Sequence, residues 1–413
     1  MKTGWASPEP RKLATVELVI TSFLAVALVA SFIAQRTKTP YTLTLVLLGV
    51  AITALPGPSI VPGTLIYGQL VAGGLFVGLV LPALLFESMM SIEEREFRAI
   101  LRPSILLATA GVVIATIVGG VLLWQVAGFP EYTAFLFAAL IAPTDVATVI
   151  EIFKRVTVPS KLSTLMETEA ALNDATGVAL FSAILSAFSV SGQALVGVAS
   201  NFLYVFGGGI VVGLAVAYGA RALLRFAHDS LTWTILTIAA AYGSYSAATA
   251  LNASGLVAVA ITGVFFGAFS LRSRVVGGEF VKSVWTVLAF IANTVAFLFI
   301  GLSTNLPALL GSIVPIAIAY AVVLAARYSS VAAILGFRGL AGSKFDPKWR
   351  NVAVLGGMRG ALSIVLVASI PASMPGSGLV ASMTLGVAFI SIVVQGPLLM
   401  RYASKNFVSD TPK

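Results

Sequence analysis

The sequence predicts an all-α membrane protein that crosses the bilayer many times. Apolar runs of about twenty residues, the length of helix that spans hydrocarbon, recur from one end of the chain to the other. Hydrophobic residues make up 58% of the 413 and charged residues only 10%, whereas a soluble chain is about 25% charged. Lys and Arg fall in clusters separated by long gaps, which is how charge is distributed between membrane spans. The runs fit helices better than the weak alternation of a barrel. Nothing is left over for a soluble domain, so 1–413 reads as a single polytopic membrane domain.

Several function classes drop out on composition. The net charge of +9 does not gather into one basic patch, so no nucleic-acid partner is expected. Without cysteine there is no disulfide, no thiolate chemistry and no cysteine-ligated metal. The one histidine, His228, lies between Arg225 and Asp229 in a loop and reads as a loop residue rather than a proton relay.

The elements follow in order. Residues 1–12 are polar and carry Lys2, Arg11 and Lys12; no small-residue cleavage site precedes Arg36, so the first apolar run is read as a retained span. The basic-free gaps then run Thr39–Glu94, Pro103–Phe153, Leu162–Ala220, Phe226–Leu271, Ser283–Ala326 and Asn351–Met400, the last interrupted only by Arg359. Each has room for a helical hairpin, which gives about thirteen spans in all. Their expected limits are Leu13–Gln35, Thr39–Leu55, Gly68–Met90, Pro103–Ala127, Tyr132–Phe153, Leu165–Phe188, Leu195–Ala220, Thr232–Asn252, Gly255–Leu271, Ser283–Leu302, Leu309–Leu335, Asn351–Ile370 and Leu379–Met400. All basic clusters after the first span share one side. The positive-inside rule makes that side cytoplasmic, with the N-terminus outside and the C-terminus inside a cell membrane; the basic tail is the one dissent.

An odd number of spans allows two inverted halves, approximately 13–190 and 232–400, around a linking helix at 195–220. The fifth span then pairs with the twelfth, and both carry helix-breaking residues at mid-depth: Pro143 in one, Gly356, Gly357 and Gly360 in the other. Proline removes an N–H and clashes with the carbonyl four residues back, so backbone groups are freed that must find partners inside the membrane. Paired interruptions of this kind point to a transport site. The blander reading, that proline and glycine merely kink or pack membrane helices, is weakened by Asp145 beside Pro143 and by Arg359 among the glycines.

An ionised group at mid-bilayer costs about 2.5–3.5 kcal/mol on insertion scales, so it faces protein or water. Asp145 lies about thirteen residues into its span and Asp174 about ten into the next, which at ~1.5 Å per residue puts both near mid-depth, where they can share a cavity. Glu169 is on the helix face of Asn173, and Asp174 is turned about 100° from it. Arg359 needs an acidic partner, and Glu169 is the expected one. That pairing leaves Asp145 and Asp174 as the acids free to take a proton or a cation. Glu87, near the inner end of the third span, is equally readable as a site acid or a structural one; Glu151 and Glu167 are expected to be solvated at the cytoplasmic boundary.

Pro143, Thr144 and Asp145, Glu169 through Asn173 and Asp174, Gly356 to Gly360 with Arg359 inside, and Gln395 with Gly396 together resemble the NhaP-type monovalent cation:proton antiporters, over essentially the whole chain. The resemblance implies an inverted-repeat fold in which two broken helices cross in a mobile core domain, set against a dimerisation domain, and hence a homodimer. It implies Asp174 as the ion-binding aspartate, Asp145 and the Thr144 carbonyl as its helpers and Glu87 as a further ligand, so that Na⁺ is held by Asp174, Asp145, Thr144 and Glu87. It also implies Asn173 as a neighbouring asparagine and Glu169 with Arg359 as a buried ion pair. Two positions depart from the pattern: Ala170 where a serine is common, and Val146 where a proline is frequent. The oxygen count at the site is thereby open by one, and K⁺ stays open beside Na⁺ or Li⁺.

The chemistry stands without the family. A hard cation takes oxygen ligands, and a proton neutralises the same Asp174 that a cation would. A bare carboxylate crosses a low-dielectric barrier at far greater cost than a neutralised one, so only loaded forms move. Asn173 does not titrate, which favours one proton per cation. No cofactor is required, since Na⁺ and H⁺ are cargo. A Na⁺-coupled solute symporter is the alternative on the same scaffold; an intramembrane aspartyl protease lacks its Gly-x-Gly-Asp signature.

Overall fold

The computed structural model describes residues 10–54, 76–91, 94–189, 195–224 and, apart from 227, 273–277, 305, 337–339, 342–344 and 372, residues 226–407. Lys2, the loop near residue 60 and the start of the third expected span at 68–75 lie outside them. The described chain is helical: α1 (Pro10–Thr37), α2 (Tyr41–Ala54), α3 (Leu81–Ser91, led in by a π-helical turn at Phe76–Val80), α4 (Glu94–Ala108), α5 (Ala110–Val121), α6 (Glu131–Ile141), α7 (Ala147–Phe153), α8 (Ser160–Ser189) and α9 (Leu195–Leu224). It continues as α10 (Ser230–Ala250), α11 (Gly255–Arg272), α12 (Gly278–Ser303), α13 (Leu306–Gly311), α14 (Ile313–Leu335), α15 (Pro347–Leu355), α16 (Ala361–Ala368), α17 (Ser377–Ile390) and α18 (Gly396–Phe407), the last two joined by a π-helical turn. Each expected span overlaps one of these helices or a consecutive pair. Five are long and apolar enough to cross a membrane by length and composition alone, Gly278–Ser303 and Ile313–Leu335 among them.

Local signals set the helix ends. Asp229 caps α10 by accepting from Leu231 N and Thr232 N at 2.9 Å, the role of an N-cap carboxylate. Asp346 does the same for α15 through Lys348 N at 2.8 Å, with Pro347 in the first turn where its missing N–H costs nothing. The helix α6 stops at Ile141, two residues before Pro143, and the chain resumes helix at Ala147. Likewise α15 stops at Leu355 and α16 starts at Ala361, across Gly356–Gly360.

The helices pack as two bundles. One contains α4–α8 and α13–α18, with both interrupted segments at its centre. The other contains α1–α3 and α9–α12, tied by Trp285, which donates to Thr237 Oγ1 at 3.0 Å and packs on Phe86 with ring centroids 4.4 Å apart. Within it α2 and α12 meet backbone to backbone at Gly49 and Gly301: a Cβ added to Gly49 would lie 2.8 Å from Gly301 Cα and Leu298 O. Small residues that let helix backbones touch replace the hydrophobic drive that lipid does not supply.

Arg327 lies inside the expected Leu309–Leu335 span; α14 runs on past it to Leu335, and Arg327 is 5% exposed. It is a membrane-core arginine.

Gly301→Val should lower the midpoint of thermal unfolding in detergent, by an amount corresponding to about 1–3 kcal/mol of overpacking. Gly243→Ala, where an added Cβ meets nothing within 4 Å, should not. Equal melting of both variants would contradict the α2–α12 contact.

Candidate functional site

At the centre of the first bundle the two interrupted segments cross, and Asp145 N donates to Met358 O at 2.8 Å. This is the one point at which they pair as extended chain. The Asp145 carboxylate turns back to accept from Ala147 N at 2.7 Å, and it lies so close over Gly360 that any Cβ there would collide with it. Both contacts put the acid near the starts of α7 and α16, where helix dipoles favour negative charge. On the other side of the break, Gly177 of α8 leaves the room that the Pro143 ring fills.

The 3.6-residue period of α8 sorts its polar residues. Glu167, Ala170, Ala171 and Asp174 face a cavity. Glu169 and Asn173, each 1% exposed, face the bundle interior. Asn173 Nδ2 donates to Thr144 Oγ1 at 2.8 Å and its Oδ1 accepts from Thr144 N at 3.3 Å, so the side chain staples the unwound segment to α8.

The cavity is about 630 Å³ and is lined by Glu87, Asp145, Glu151, Glu167 and Asp174, with exposed Gln35, Ser91, Lys154 and Arg155 at its mouth. The structure thus brings Asp174, Asp145, Thr144 and Glu87 to one space; Glu87 also accepts from Ser91 Oγ at 3.3 Å. Beyond Asp174 lies a second chamber of about 30 Å³, lined by Leu81, Ala296 and Leu362 as well as by Thr144, Asp145 and Asp174. The acids sit where a wide space narrows to a small one.

Two expectations fail. Glu169 does not pair with Arg359: its carboxylate takes a bidentate bond from Arg327, NH2 to Oε2 being 3.0 Å, with NH1 on Oε1. Arg359 instead donates through NH1 to Ala142 O and Pro143 O, at 3.0 and 2.9 Å. The reason is geometric. The break at Pro143 strands carbonyls at the end of α6, and an arginine on the crossing segment is the donor that reaches them. Glu151 is likewise not simply solvated; it accepts from Thr42 N and Thr42 Oγ1 at 3.3 Å and, like Glu167, is half-buried in the cavity wall.

The second break is closed in the same way. Arg327 Nε and NH2 donate to Ala353 O at 3.0 and 2.8 Å, and Gln395 Nε2 donates to Leu355 O at 2.6 Å, so the end of α15 is capped by side chains from α14 and the α17–α18 turn. Ser363 Oγ adds a bond to Leu140 O at 3.2 Å on the first break. Sequence reasoning missed Arg327; its place within the expected Leu309–Leu335 span was the available signal.

Losing one partner of a buried pair leaves an uncompensated charge, so Arg327→Met and Glu169→Gln should each cost about 3–5 kcal/mol in unfolding experiments. The double variant should cost clearly less than the sum. Arg359→Met combined with Glu169→Gln should be closer to additive, and a double-mutant cycle with the reverse ordering would overturn the assignment.

The comparisons with known proteins agree with this geometry. Residues 23–405 match the transmembrane sodium/hydrogen exchanger family. The chain is 31% identical over 383 residues to the Na(+)/H(+) antiporter NhaG of Bacillus atrophaeus, covering 89% of this chain and 72% of that protein. It is 33% identical over 344 residues to the Na(+)/H(+) antiporter NhaP of Pseudomonas aeruginosa, covering 78% and 79%. Its fold is similar to that of the sodium proton antiporter MjNhaP1 from Methanocaldococcus jannaschii at pH 8, with a TM-score of 0.76 at 23% identity over 96% of this chain and 100% of that one. By the extent of these matches, the chain belongs to the sodium/hydrogen exchanger family, as a multi-pass membrane protein of the NhaP type.

Proposed function

We propose that the protein is a secondary antiporter that exchanges Na⁺, or Li⁺, for H⁺ across a cell membrane, one for one, with cation and proton competing for Asp174. The observation that carries this reading is the meeting of Asp145 and Asp174 at the floor of a one-sided cavity. Among the described residues neither carboxylate has a basic partner within ion-pair distance, because Arg327 is taken by Glu169 and Arg359 by backbone carbonyls. Asp174 is the ion-binding group, with Asp145, the Thr144 carbonyl and Glu87 as further oxygen ligands. Pro143, Asn173, Glu169 and Arg359 hold the site in shape. The relatives' printed names support Na⁺ as the cation for this chain.

The wide cavity opens beside Lys154 and Arg155, so the positive-inside rule supports assigning its mouth to the cytoplasm. The N-terminus then lies outside and the C-terminus inside. The small chamber beyond Asp174 is the closed side of an alternating-access cycle in which the first bundle moves against the second. A homodimer, with the second bundle as its interface, completes the proposal.

The test is cation-driven dissipation of a preset pH gradient in proteoliposomes, comparing NaCl, LiCl, KCl and choline chloride. Na⁺ or Li⁺ should dissipate the gradient, choline should not, and Asp174→Asn should abolish the response while the protein still folds. Exchange by that variant at the normal rate would rule out the site. Competition also fixes the sign of the pH dependence. Protonation removes the cation ligand, so the apparent KM for Na⁺ should rise as pH falls, by up to about tenfold per unit on the acid side for a single competing proton. An apparent KM independent of pH would exclude a shared site.

Asn173 sets the charge count without titrating. Asn173→Asp leaves Thr144 a partner, since the hydroxyl can turn to donate, but adds a carboxyl group. Exchange in that variant should become sensitive to an imposed membrane potential, which wild-type exchange should ignore. Potential-independent exchange by an active Asn173→Asp protein would show that residue 173 does not set stoichiometry.

A further inference from the structure

The wide cavity and the small chamber beyond it share Leu84, Thr144, Asp145, Asp174 and Asn293. Three of these belong to the first bundle. The second bundle supplies only Leu84 on α3 and Asn293 on α12, so Asn293 is the one polar side chain that it sets at the neck among the described residues. Its helix neighbours Ala289, Ala292 and Ala296 are buried and apolar. No described protein group hydrogen-bonds the Asn293 side chain. Its amide opens onto the space that the two cavities share, where it can bond whatever occupies that space.

Two of the side-chain oxygen atoms at the neck are committed. The Thr144 hydroxyl accepts from Asn173 and one Asp145 oxygen accepts from Ala147 N, while Ala170 and Ala171 beside Asp174 on the cavity face bear no oxygen in their side chains. A hard monovalent cation that sheds water on entering needs oxygen ligands from every wall of the passage. From the wall opposite the aspartates, Glu87 offers oxygens in the wide cavity only, and Asn293 offers one at the neck that the two spaces share.

We propose that Asn293 is a specificity-determining residue of the cation site, its side-chain carbonyl oxygen completing the shell of an alkali cation held at Asp174. The inference deepens the proposed exchange and rests on that reading. Because Asn293 lies on the other bundle, it serves the cation in the conformation open toward Lys154 and Arg155. When the first bundle moves, the aspartates leave it behind. Affinity on that side is therefore set by a residue that the opposite side does not use.

Asn293→Leu keeps the volume and removes the oxygen. In oriented proteoliposomes the apparent KM for Na⁺ should rise about fivefold, the size of one neutral ligand, when Na⁺ is supplied from the Lys154 side, and stay constant from the other. The ratio of KM values for Na⁺, Li⁺ and K⁺ should change with it, and Asn293→Gln should recover part of both. A second readout needs no transport: the rise in melting temperature that NaCl gives the purified protein should shrink in Asn293→Leu. An unchanged KM, selectivity and melting shift in folded Asn293→Leu would overturn the inference, as would a KM raised equally from both sides with selectivity intact, which is the mark of packing. A wild-type protein that moves no protons, yet shows an Asn293-dependent NaCl shift, would sink the exchange reading and support the ligand.

Discussion

A helix interrupted inside a membrane frees carbonyl groups that no water can satisfy, and the first bundle is arranged around satisfying them. Arg359 and Ser363 cover the end of α6, while Arg327 and Gln395 cover the end of α15. Each break is thus closed in part by a guanidinium: Arg359, from within the crossing segment, serves one, and Arg327, from α14, serves the other. Arginine suits the task because its planar fork reaches several oxygens at once and stays charged when dehydrated. The helix C-termini it touches also carry partial negative charge, so the same bonds offset part of the cost of burying the cation.

The carboxylate side of the site follows from that arrangement. Glu169 is consumed by Arg327, and Asn173 is consumed by Thr144. What remains on α8 is its cavity face, with Asp174 and Glu167, together with Asp145, whose position is set by a backbone bond to Met358 and by the bare Cα of Gly360. On α8, the polar residues that hold the crossing and those left open to the cavity are therefore different residues, separated by the period of one helix. A substitution can damage one set without touching the other.

Much of this was legible in the sequence. Hydropathy gives the helices, Pro143 and the Gly356–Gly360 run give the interruptions, and helical spacing separates Glu169 and Asn173 from Asp174. The identity of the ion pair was not legible, because spacing along a chain says which residues share a face and nothing about which distant helix supplies a partner. Arg327 was hidden by a second ambiguity: it bounds a basic-free gap, as charge at a membrane surface does, although the expected Leu309–Leu335 span already enclosed it. Asn293 carries no charge and sits in an apolar run, so it leaves no mark in composition. Its place emerges only when the two cavities are seen to share it.

The buried charges also bear on why the proposed exchange would be one for one. Arg327 and Glu169 cancel, and Arg359 contributes a positive charge that no acid pairs directly. With one of Asp145 and Asp174 ionised and the other protonated, the crossing is neutral. With both ionised and one monovalent cation bound, it is neutral again. The empty site, with both acids bare, carries net charge, and a net charge is what a low-dielectric passage penalises most. On this reading Arg359 does more than cap α6: it sets the charge at which single loading, one proton or one cation, leaves the moving bundle uncharged. An acid at position 173 would displace that balance by one, and so would a neutral residue at 359, both toward negative charge.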